Sequence, residues 1–104
     1  MTFIQEYTSL HKTALSDLQG AWEILRDAVV AHHPFQDSGR ILFHIDEGMS
    51  WEAVRDLEYM KKTLILIRNI ANQNQTPQDV VDSIEHVWLN LQEVFEAIGH
   101  GEIG

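Results

Sequence analysis

Six histidines and sixteen carboxylates in a chain with no cysteine make a carboxylate–imidazole metal site the first chemistry to weigh. Asp82 and His86 stand four apart, on one face of any helix through them, and that spacing suits a shared divalent ion. It suits a solvated ion pair equally well, and that is the simpler reading. His32 and His33 are adjacent, so on a helix they point roughly 100° apart and chelate poorly. A helix end, where the dipole is negative, is the better place for them. The Glu-x-x-His pairs of di-iron bundles do not occur. His11 falls on an apolar stripe, where a hydrogen-bonded buried imidazole is the expected state and a pH-sensing or ligand role the rival.

Covalent chemistry has less to work with. There is no thiol, no Gly-x-Ser-x-Gly elbow and no glycine-rich phosphate loop. Asp46 and Glu47 are adjacent acids that a strand would point to opposite faces. Trp22, Trp51 and Trp88 lie on or beside core stripes, where packing is the expected role and a tryptophan-walled ligand pocket the alternative. The expectation is a non-enzyme with no catalytic residue, no cofactor and no metal.

The net charge of −9 is placed unevenly. Four acids and two bases fall in residues 1–34, and six acids and five bases in 35–75. Residues 76–104 carry six acids and no base. Such a balance argues against nucleic acid, whose binding rests on Lys and Arg neutralising phosphates. Any electrostatically steered partner should be basic and meet the last helix. The absence of cysteine suits a reducing, cytoplasmic setting. Met1-Thr2-Phe3-Ile4-Gln5-Glu6 lacks the basic region of a secretory leader, and no apolar run is long enough to span a bilayer.

Periodicity then gives the elements that must position these residues. Thr2-Phe3-Ile4-Gln5 matches a capping box, and Pro34 should end the first helix. The inward stripe of that helix holds Ile4, Tyr7, His11, Leu15, Leu18, Trp22, Leu25 and Val29. Gly20 lies off the stripe and is read as tolerated within a continuous helix, against the alternative of a kink at Ser16-Asp17-Leu18-Gln19. Asp37-Ser38-Gly39 is turn chemistry.

Residues 40–46 are ambiguous. As a helix they oppose the dipole, with Arg40 early and Asp46-Glu47 late. As a strand, Ile41, Phe43 and Ile45 alternate and could pair with the same segment of a second chain. Ser50 is read as the cap of a second long helix, with Met49 stapled onto Val54. Its inward face is Ala53, Val54, Leu57, Met60, Leu64, Ile67 and Ala71. Tyr59, Leu66 and Ile70 form a second apolar face, which three helices in one chain do not easily cover.

Thr76 and Pro77 open the last helix, by a hydroxyl cap and a proline at its first position, and Gly99 closes it. Its wide stripe combines Ile84, Leu91 and Ile98 with Val80, Val87, Val94, Val81, Trp88 and Phe95. Residues 99–104 are expected to be a flexible tail.

The fold expected is therefore all-α: a single domain over 1–104 of three long helices, the last two an antiparallel hairpin in which Lys61, Lys62 and Arg68 face the acids of the last helix. A short helix or dimer-pairing strand lies near 40–46. The function expected is that of a small acidic regulator that binds and inhibits or occludes another protein and acts as a homodimer. Ile41, Phe43, Ile45, Tyr59, Leu66 and Ile70 are its candidate dimer interface; Asp82, Glu85, Leu89, Glu93 and Glu96 are its candidate partner-binding residues. A chaperone or structural subunit of a larger assembly is the alternative, and a metal- or ligand-binding bundle the third. In size, acidity and helical hairpins the chain resembles the small bacterial or phage proteins that occlude a larger target, such as anti-activators, immunity proteins and nuclease inhibitors. The resemblance is one of type rather than of residues.

Overall fold

The computed structural model describes the backbone of residues 2–54, 56–73 and 75–103, and the side chains of 14–51, 54, 56–73 and 75–97. The described residues form four α-helices and no strand: α1 (Thr2–His32), α2 (Ser38–Ala53), α3 (Leu57–Asn72) and α4 (Gln78–Ile103). Successive helices pack on one another and α4 closes back on α1, giving an antiparallel ring 51 × 21 × 20 Å in extent. The pairing of α1 with α4 is the most extensive and that of α3 with α4 the least. At 1.5 Å per residue α1 is about 46 Å long, and α2 and α3 about 24 Å each. The outer helices thus run on past the inner pair.

α1 passes unbroken through Gly20 and stops before Pro34. Leu18, Trp22, Leu25 and Val29 of its stripe are buried. The Thr2 capping box and the stripe positions Ile4, Tyr7 and His11 lie outside the described side chains.

The principal correction concerns residues 38–56. The segment 40–46 is the first half of a sixteen-residue helix, not a strand. Ile41 and Ile45 are four apart and buried together, while Phe43 points away and is 66% exposed. Gly48 continues their face at the next turn and is also buried. The dipole objection fails because the helix runs on to Ala53, leaving Asp46 and Glu47 well inside it, where the dipole has little effect. Each acid also has a partner: Asp46 Oδ1 accepts from Arg26 Nε at 3.0 Å, and Glu47 pairs with His44 at 3.1 Å. Near the start, Arg40 is 4.0 Å from Asp37. Asp37 holds the turn at φ 63°, a left-handed conformation that Asp tolerates better than most side chains.

Ser50 therefore caps nothing; its hydroxyl donates to the Glu47 carbonyl within α2. The true boundary follows Ala53. Val54 is 66% exposed rather than inward, and Asp56 caps α3 by accepting from the Tyr59 N–H. Trp51 stacks on Tyr59 across this turn, with ring centroids 5.0 Å apart.

α2 also accounts for the two-sided α3. Leu57, Met60, Leu64, Ile67 and Ala71 are buried as expected, and so is Ile70. With α2 on one flank and α4 on the other, α3 needs no second chain to cover that position. Ile41, Ile45 and Ile70 thus belong to the core of a single chain, and of the six expected interface residues Phe43, Tyr59 and Leu66 remain exposed.

α4 continues through Gly99, which does not act as a terminator. The Thr76 hydroxyl turns back to donate to the Ala71 carbonyl at 2.9 Å, tying the loop to α3. The Pro77 carbonyl accepts from the Val80 and Val81 N–H groups. The wide stripe serves two neighbours. Val80, Ile84, Val87, Leu91 and Val94 are buried, whereas Trp88 and Phe95 are half-buried beneath Arg68 and Lys61 of α3. Ile98 lies outside the described side chains.

Candidate protein-docking site

α1 and α4 run antiparallel, their facing ends joined where His32 Nε2 lies 3.3 Å from Asp79 Oδ2. Midway along the pair their outer faces leave an open groove of about 540 Å³. Ser16, Asp17, Gly20, Ala21 and Ile24 line it from α1, and His86, Leu89, Asn90 and Glu93 from α4. Each set repeats at three- and four-residue intervals, the spacing of one helix face.

The floor is open because α1 has no side chain at Gly20. A Cβ placed there would meet nothing within 4 Å. Ile24 and Leu89 stand beside it with 51% and 60% of their surface exposed. Asp17 and Glu93 supply two carboxylates, and among the described residues no Lys or Arg lines the groove. Asn90 is buried, its Nδ2 donating to the His86 carbonyl at 2.8 Å. The groove thus offers an apolar seat and negative charge.

Of the partner-binding residues expected from sequence, Leu89 and Glu93 meet in this groove. Asp82 and Glu96 are exposed on the same helix without lining it, and Asp82 accepts from Gln78 Nε2 at 2.8 Å. Glu85 faces the other way, 2.9 Å from Arg68 of α3. Of the three bases expected to face α4 acids, Arg68 alone makes an ion pair of that kind among the described residues. Lys61 lies over the Phe95 ring and Lys62 over Tyr59. His86 lines the groove apart from any Asp82 contact, and His33 Nδ1 lies 2.7 Å from Ser38 Oγ. Among the described residues no group of three His, Asp or Glu side chains is placed to hold a metal ion. No helix there is long and apolar enough to cross a membrane.

Gly20, Ile24 and Asn90 were not legible as site residues from sequence. Ile24 off the α1 stripe and Asn90 beside the α4 stripe were the available signals, and each is unremarkable without the other helix.

No protein-family model matches the chain, and no characterised protein or solved structure matches it.

Proposed function

We propose that this protein is a non-enzymatic, cytoplasmic regulator that binds another protein through the α1–α4 groove and occludes it. The observation that supports this reading is the pairing of exposed Ile24 and Leu89 in a concave surface to which the described residues add the carboxylates of Asp17 and Glu93. Apolar residues scattered singly need no explanation; two lining one groove do. The partner surface is basic, because among the described residues Arg68 of α3 is the one Lys or Arg paired with an α4 acid, and it serves Glu85.

The protein acts as a homodimer through the outward side of α3. Tyr59, Ile65 and Leu66 are exposed there, and Lys62 lies over the Tyr59 ring. The same exposed residues favour the second reading, a subunit that buries α3 within a larger assembly.

Affinity capture from the native host with wild-type protein and with Leu89→Asp tests the first reading. A partner retained by the wild type and lost from a variant that keeps its helicity supports it. Capture of the same partner by both overturns it. Light scattering at micromolar concentration that gives the mass of one chain removes the dimer.

A further inference from the structure

We infer that the α1–α4 groove receives a single amphipathic helix from a basic partner, with one aliphatic side chain seated over Gly20 and an arginine or lysine beside Asp17 and Glu93. This rests on the occlusion reading and deepens it by naming what enters the groove. The missing Cβ of Gly20 leaves space between Ile24 and Leu89, so an inserted aliphatic side chain touches both exposed residues at once. Among the described residues the lining has two carboxylates and no Lys or Arg, so a cationic neighbour gains attraction from both carboxylates.

A helix suits the groove better than an extended strand. An incoming strand brings a row of unpaired backbone groups, and two helices whose own backbones are internally bonded have none to offer in return. A helix arrives with its backbone satisfied and needs only side-chain contacts. The α1 wall runs from Ser16 to Ile24, about 12 Å at 1.5 Å per residue, which matches two turns of the incoming helix.

The test uses a labelled synthetic helix of about 18 residues, with leucines at i, i+4 and i+7 flanked by arginines, titrated by fluorescence anisotropy at low and physiological salt. Gly20→Leu is the decisive variant, because its Cβ would meet nothing within 4 Å and leucine is the better helix former. It should retain or raise thermal stability while weakening peptide binding by about tenfold or more. Glu93→Gln should weaken binding several-fold and flatten its salt dependence, whereas Glu58→Gln, which removes an acid from α3, should stay within about twofold of wild type. Unchanged binding by Gly20→Leu overturns the inference, and so does an equal loss from Glu58→Gln, which would mark the attraction as diffuse. No binding by the wild type overturns it as well. Capture with Leu89→Asp decides the occlusion reading separately, since a native partner can depend on Leu89 without presenting a helix.

Discussion

Gly48 of α2 lies against the face of Trp22 of α1, so close that a Cβ at Gly48 would fall 2.5 Å from the indole Cη2. Trp22 is fully buried and cannot swing away, and two more ring carbons lie within 3.0 Å of the same point. In an exposed helix interior, Gly→Ala stabilises by about 0.5–1 kcal/mol. Here the helical gain is opposed by overpacking against a rigid ring, which costs about 1–3 kcal/mol. Gly48→Ala should therefore lower the denaturation midpoint and shift the Trp22 fluorescence; an unchanged or raised midpoint would show that α2 can back away at little cost.

Gly20 gives the opposite sign. Nothing lies within 4 Å of its would-be Cβ, so Gly20→Ala should gain about 0.5–1 kcal/mol from backbone restriction alone. Urea denaturation of the two alanine variants side by side isolates packing from propensity. Equal shifts in the same direction would mean the Trp22 contact has no energetic weight.

The other edge of the same indole makes the second demand. Trp22 Nε1 donates to Met60 Sδ at 3.3 Å in the buried core. Met60→Leu conserves volume, which by itself costs less than about 1.5 kcal/mol. It also leaves the indole N–H without an acceptor, adding about 1–3 kcal/mol. In a double-mutant cycle, Met60→Leu should therefore cost more in the wild-type background than in Trp22→Phe. Equal costs in both backgrounds would reduce the sulfur contact to packing alone.

These residues also show where sequence reasoning succeeds and where it stops. The stripes of α1, α3 and α4 are legible because each keeps one helical period over several turns, and most of the buried residues of those three helices fall on them. α2 is harder because Ile41, Phe43 and Ile45 fit both a period of two and a period near four. What separates the two readings is tertiary: Arg26 reaching Asp46, and the ring of Trp22 resting on Gly48. The boundary at 54–56 was obscured by Ser50, a good capping residue lying inside a helix, while Asp56 was the cap in use. The groove was half legible. Leu89 and Glu93 stand out on α4, but Gly20 and Ile24 become their neighbours only once two helices about seventy residues apart in sequence are packed together.

Arg68 provides the last prediction, because it makes two contacts with α4 of different kinds. Its Nη2 is 2.9 Å from Glu85 Oε1, and its guanidinium carbon lies 5.5 Å from the centre of the Trp88 ring. Both side chains of the ion pair are nearly half exposed, so the pair contributes no more than about 1 kcal/mol and weakens with salt. The contact with Trp88 adds about 0.5–1 kcal/mol and covers the half-buried indole with the arginine's stem. Glu85→Gln removes the first contribution and Arg68→Ala removes both. The arginine variant should be the less stable by about 0.5–1 kcal/mol, and its deficit should persist in molar salt where that of Glu85→Gln fades. α3 and α4 share the thinnest helix pairing in the ring, so the loss should appear first as faster amide exchange along α3. Identical losses from the two variants, both abolished by salt, would leave the ion pair as the whole of the Arg68 contribution.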